Sequence, residues 1–199
     1  MSRLVRTLEF ASADLRRLRR GWALLGGFAV SVRTEPRFTR DIDLAVAVRD
    51  DHDAEQLVRD LTTRGYRVLA LVEHEAAKRL ATVRLVPPGE QQEGVVLDLL
   101  FCSSGIEDEI VATAEALEVF PGLPVPVARV SHLIALKLLS RDDVRRPQDA
   151  ADLRALLAVS GSAELAEART AVALITARGF ARGRDLAVDL DLLISAARP

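Results

Sequence analysis

Between Asp41 and Val48 the chain reads Asp-Ile-Asp-Leu-Ala-Val-Ala-Val. This alternation fits a half-buried strand with two carboxylates on one face and Ile42, Leu44, Val46 and Val48 turned to a core. At a rise of about 3.3 Å per residue, the Cα atoms of Asp41 and Asp43 lie about 6.6 Å apart. Two carboxylates at that spacing can converge on one or two cations. A pair of magnesium ions about 4 Å apart activates an attacking hydroxyl and steadies the oxygens of an in-line phosphoryl displacement. Magnesium takes oxygen ligands and keeps several waters, so a few carboxylates and the substrate phosphates suffice.

A second carboxylate signal comes from Val95-Val96-Leu97-Asp98-Leu99-Leu100-Phe101, where one acid interrupts an apolar strand. An unpaired charge there is costly to bury. A shared cation site with Asp41 and Asp43 removes the cost; so does a strand end, or pairing with an arginine such as Arg84. Upstream, Gly26-Gly27 breaks the chain ahead of a short helix, which allows close backbone approach to phosphates and offers free amides at a helix start. A plain turn explains the same pair. Arg33, Arg37, Thr39 and Arg40 lie between the glycines and the carboxylates, where the arginines can neutralise a triphosphate or simply be solvated.

Around these motifs the pattern predicts an α/β (α+β) sheet with flanking helices, followed by a helical C-terminal subdomain. Helix is expected from residue 3 to about 24 and over 53 to 64, and strands over 40–48, 66–72, 81–86 and 94–102. The proline-rich stretch 120–127 reads as a linker. Helices are expected near 131–141, 147–159, 163–178 and 183–197. The division predicted is 1–127 for the α/β unit and 128–199 for the helical one.

With 199 residues, 49% of them hydrophobic, the chain can bury one full core. Its 27 basic and 29 acidic residues leave a formal charge of −2, so contact with nucleic acid would need a local basic surface. The single cysteine, Cys102, excludes an internal disulfide or a cysteine-based zinc site and reads as a core thiol. His52, His74 and His132 show no ligand spacing. The longest early apolar run, Trp22 to Val30, falls far short of the ~20 residues of a membrane span. A protein of the cytoplasm, without a membrane partner, is expected.

Three stretches together, Leu25-Gly26-Gly27-Phe28-Ala29-Val30, Arg37-Phe38-Thr39-Arg40-Asp41-Ile42-Asp43-Leu44 and Leu97-Asp98-Leu99, resemble the nucleotidyltransferase fold of the DNA polymerase β superfamily. Their wording is most similar to the abortive-infection nucleotidyltransferase toxins, AbiEii-like and including the MenT group. The resemblance is tight over residues 25–101 and looser beyond. It implies that Asp41, Asp43 and Asp98 bind magnesium or manganese, that Asp98 also helps deprotonate the acceptor, and that Gly26 and Gly27 cradle the triphosphate with help from Arg37, Thr39 and Arg40. It further implies a helical lysine and a later aspartate. Lys137, alone in the apolar run Leu133 to Leu139, fits the lysine that contacts nucleotide phosphate, though a side chain that snorkels to solvent fits too. Residues 145–153, Arg-Arg-Pro-Gln-Asp-Ala-Ala-Asp-Leu, resemble the family's Arg-x-x-Asp-x-x-Asp-Leu element. Asp149 is favoured over Asp152 there, while a helix start with acids in its first turn accounts for the same residues. Gly27 stands where many members carry serine, so hydroxyl chemistry is absent at that position.

The activity implied is transfer of a nucleoside monophosphate from an NTP to a hydroxyl, with release of pyrophosphate. By resemblance the acceptor is the 3′ end of tRNA and the protein a toxin with a separate antitoxin. Three rivals stay open: a small-molecule (antibiotic) nucleotidyltransferase, a protein-adenylylating enzyme, and a catalytically inactive binding module.

Overall fold

The computed structural model describes residues 3–74, 78–90, 94–142, 145 and 147–197. Helix α1 (Arg3–Arg17) buries Val5, Leu8, Ala11, Ser12 and Leu15, the three-and-four spacing of an amphipathic helix, and ends with Arg16 and Arg17 in its last turn. The expected continuation to residue 24 does not occur. Arg19 takes a left-handed φ of 54°, and Trp22–Leu25 forms strand β1 with all four residues buried. A short run that is apolar on every side carries no period to tell strand from helix.

Helix α2 (Gly26–Arg33) leaves β1 directly, and strand β2 (Asp41–Val46) follows. Helix α3 (Asp51–Thr63) is capped by Asp50, whose side chain accepts from the Asp53 amide. Next come β3 (Arg67–His74), β4 (Arg79–Val86), β5 (Val96–Leu100), α4 (Glu107–Thr113), β6 (Glu115–Phe120) and β7 (Leu123–Val127). The last two replace the expected linker. Pro124 and Pro126 alternate along β7 with Leu123, Val125 and Val127, which are buried, so the prolines share one face of a strand that pairs antiparallel with β6. Helices α5 (Val130–Ser140), α6 (Pro147–Ala158), α7 (Ser162–Ala177) and α8 (Leu186–Ala197) complete the chain.

The seven strands form one mixed sheet in the order β3-β4-β5-β2-β1-β7-β6. Strand β2 runs antiparallel to β1 and parallel to β5, and β4 pairs antiparallel with the far side of β5. Because β2 and β5 are parallel and in register, Ile42 and Leu44 lie beside Leu97 and Leu99, all fully buried. Asp43 and Asp98 therefore occupy matching positions on adjacent strands. Helix α5 is buried through Leu133, Ile134, Ala135, Leu138 and Leu139 and packs against α2, α6, α7 and α8, which brings the C-terminal helices to the same end of the sheet as Gly26. Cys102 is a buried free thiol. Among the described residues no helix is long and apolar enough to cross a membrane.

Candidate active site

Gly26 opens α2 with φ +63°, a conformation in which L side chains are strained. A Cβ added there would come within 1.8 Å of Asp43 Oδ2. The glycine thus lets the Asp43 carboxylate lie directly over the β1–α2 turn. At Gly27 an added Cβ would meet the Arg37 guanidinium at 2.4 Å. A serine at this position would have to displace the guanidinium that fills the space.

Asp41 and Asp43 are both partly exposed, and Asp98 is buried. Burial, then repulsion from Asp98 and Asp41, push the Asp43 carboxyl up to about 6 against the pull of Lys137 and Arg84. Arg84, facing Asp98 across the β4–β5 pair, donates from Nε to Asp98 Oδ1 at 2.8 Å and from Nη2 to Oδ2 at 2.6 Å. The same guanidinium stands 3.9 Å from Asp41 Oδ2. Arginine pairing is thus the arrangement in which Asp98 is held. Among the described residues no three acidic, histidine or cysteine side chains converge as a ready cation cage.

On the helical side, Lys137 Nζ reaches Asp149 Oδ1 at 2.7 Å and Asp152 Oδ2 at 2.8 Å. It does not snorkel outward. Ser140 Oγ donates to Asp149 Oδ2 at 2.9 Å. Asp152 also accepts two parallel bonds from Arg37, Nε at 2.8 Å and Nη2 at 2.7 Å. Burial raises the Asp152 carboxyl, but the bonds from Arg37 and Lys137 together carry it below its ordinary value. Asp149 and Asp152 thus share Lys137, and Arg37 joins Asp152 to the loop before β2. Arg146, within the 145–153 element, lies outside the described residues.

These groups border a cleft of about 280 Å³, whose lining includes Gly26, Asp43, Asp98, Lys137, Ser140 and Asp149. Thr39 turns away, with its hydroxyl on the Asp41 carbonyl at 3.4 Å, and Arg37, Thr39 and Arg40 are absent from the cleft wall. Three contributors to the wall had no sequence signal strong enough to single them out. Ser103 and Ser104 are set by the buried carboxylate of Glu107, which accepts from the amides of Ser103, Ser104 and Gly105 and from both serine hydroxyls. Arg182, in the α7–α8 loop at φ 55°, reaches the cleft and makes no ion pair among the described residues. The run Ser103-Ser104-Gly105 followed two residues on by an acid is the visible trace of the first device; Arg182 leaves none.

The donors are carboxylate oxygens, the kind a hard divalent cation takes, and positive charge there would offset the burial and then the repulsion that raise Asp43.

The sequence model described as nucleotidyl transferase AbiEii toxin, type IV toxin–antitoxin system, matches residues 10–198. No curated protein matches the chain at a significant level. Among solved structures, an antigenic nucleotidyltransferase-like protein from Paracoccidioides brasiliensis is similar at 20% identity and a TM-score of 0.51, over 94% of this chain and 89% of that one. The antibiotic-resistance factor ANT(2″)-Ia in solution is similar at 18% identity and a TM-score of 0.50, over 98% and 91%. Both likenesses are of fold. The match across nearly all of the sequence settles the rest: this chain belongs to the AbiEii nucleotidyltransferase toxin family, and is a nucleotidyltransferase.

Proposed function

We propose that the protein transfers a nucleoside monophosphate from an NTP to the 3′-hydroxyl of a tRNA, in the cytoplasm, as a growth-inhibiting toxin held in check by a cognate antitoxin protein. The observation that carries the chemistry is the register of Asp43 with Asp98 above Gly26. Residues 1–127 serve as the catalytic unit and 128–199 as the helical subdomain that supplies Lys137.

Asp41, Asp43 and Asp98 are the residues to hold magnesium or manganese. When bound, such a cation supplies charge neutralisation at the α-phosphate and acidifies the attacking hydroxyl. Asp98 orients that hydroxyl and takes its proton once Arg84 releases one of its oxygens. The new bond joins the acceptor oxygen to the α-phosphorus, and the bond to the β-phosphate bridging oxygen breaks, so pyrophosphate leaves. The Gly26 and Gly27 backbone admits the triphosphate to the start of α2. Lys137 and Arg182 face its charge, Lys137 exchanging an aspartate contact for phosphate. Arg37 acts at one remove, fixing Asp152 and through it Lys137.

The test is incubation with each labelled nucleoside triphosphate, the divalent cation and total tRNA, beside an Asp41→Ala/Asp43→Ala variant. Label on tRNA from the wild type alone is the expected result. With a small-molecule antibiotic or a protein added in place of tRNA, label on either would replace the acceptor, and no label on any of the three would favour a binding module.

A further inference from the structure

Phe38 is the most exposed large apolar side chain among the described residues, at 78%. It lies three residues before Asp41, so its Cα is within about 11 Å of that aspartate's. The loop around it is tied down. Ser31 Oγ accepts from the Arg37 amide at 3.3 Å, and Arg37 Nη1 donates to the Phe38 carbonyl at 3.1 Å while its other nitrogens hold Asp152. The backbone is held on both sides of a ring left largely in solvent, which is the opposite of a frayed loop with an idle aromatic.

Two further features give the ring a chemistry. The Arg40 guanidinium carbon sits 5.6 Å from the ring centroid, and Arg40 has no carboxylate partner among the described residues. The ring also lines a groove of about 530 Å³ together with Phe28, Val32, Val119, Phe120 and, at one side, Glu118. An exposed aromatic with an unpaired arginine at its face is the pairing that stacks an unpaired base and neutralises the adjoining phosphate. The groove shares no lining residue with the carboxylate cleft, whose wall holds no aromatic. Asp41 borders neither and lies on the chain between them. With the NTP assigned to that cleft of about 280 Å³, the groove beside Phe38 is left to the other reactant.

We infer that Phe38, with Arg40, is a stacking platform for an unpaired base of a single-stranded RNA end whose terminal hydroxyl is presented to Asp41 and Asp98. This rests on the reading of the acceptor as RNA. The first measurement uses a Phe38→Trp variant, whose only other tryptophan, Trp22, is buried. Titration with a short single-stranded RNA is expected to quench the new indole, and an NTP without RNA to leave it bright. The second compares Phe38→Ala and Phe38→Tyr with the wild type in the transfer reaction. The alanine is expected to raise KM for RNA about tenfold with KM for the NTP unchanged, and the tyrosine to restore it.

Equal quenching by the NTP alone, or an unchanged KM for RNA in Phe38→Ala, overturns the platform. Quenching by RNA in a protein that transfers nothing to RNA upholds the platform and overturns the reaction assigned to it.

Discussion

Arg84 and Asp98 meet as a two-pronged pair across β4 and β5, with both carboxylate oxygens taken at 2.8 and 2.6 Å. A cation drawn to Asp98 must compete with that arginine. Replacing Arg84 by alanine leaves a buried carboxylate without its partner, at a cost of about 1–3 kcal/mol. For a chain of this size that is a Tm lower by roughly 3–9 °C in chelator. Magnesium or manganese is expected to raise the Tm of Arg84→Ala more than that of the wild type, as differential scanning fluorimetry would show. An equal or smaller rise in the variant would place the cation away from Asp98.

Asp43 makes the pH dependence specific. Its folded-state carboxyl titrates at about 6, above the ordinary 3.8, so between those values the folded chain holds a proton that the unfolded chain has lost. Stability contributed by this group is full below about pH 4 and falls as pH rises to 6, after which the penalty is complete. The penalty is on the order of 2–3 kcal/mol. Asp43→Asn is expected to abolish transfer yet melt several degrees higher than the wild type at pH 7.5, with the two converging near pH 4 in cation-free buffer. Melting curves at both pH values check this, and a variant less stable at pH 7.5 would refute it.

The two glycines predict different failures. Gly26→Ala forces a side chain into a left-handed backbone, at about 1–2 kcal/mol, and displaces the Asp43 carboxylate, so lower Tm and lost transfer are expected together. Gly27→Ser moves only the Arg37 guanidinium. In a double-mutant cycle, Asp152→Asn should cost less in the Gly27→Ser background than in the wild type, with a coupling of about 1 kcal/mol. Additive effects would mean that Arg37 yields to the serine without releasing Asp152.

Arg182 is expected to separate binding from stability. It is exposed and without an ion pair among the described residues, so Arg182→Ala should leave the Tm within a degree or two while raising KM for the NTP severalfold. Steady-state kinetics with varied NTP, at saturating acceptor, distinguish this from an effect on turnover.

How much of this was legible in the sequence depends on the range of the interaction. Asp41 and Asp43 announce themselves because a strand's period is local, and Asp98 because an acid in an apolar run demands a partner. In sequence that partner stays open between a cation and Arg84, and the antiparallel register of β4 with β5 places Arg84 there. Strand β1 reads in sequence as the end of a helix because four buried apolar residues have no face to compare. Strand β7 reads as a linker in sequence because prolines in a paired strand are rare; in the fold Pro124 and Pro126 take alternate positions between buried neighbours. The tie of Asp152 to Arg37 spans 115 residues and had no local trace. Asp149 and Asp152 look equivalent on one helix face until the loop that meets one of them is in place.

The clasp of Arg37 on Asp152 also orders events in time. The carboxylate strands and the glycine turn are made early in synthesis, while the lysine and its two aspartates emerge from the ribosome only with α5 and α6. A nascent or prematurely ended chain can carry Asp41, Asp43 and Asp98 and still lack Lys137 and the two aspartates that hold it. In a family of nucleotidyltransferase toxins, completion of this cluster waits for the helices that follow the sheet.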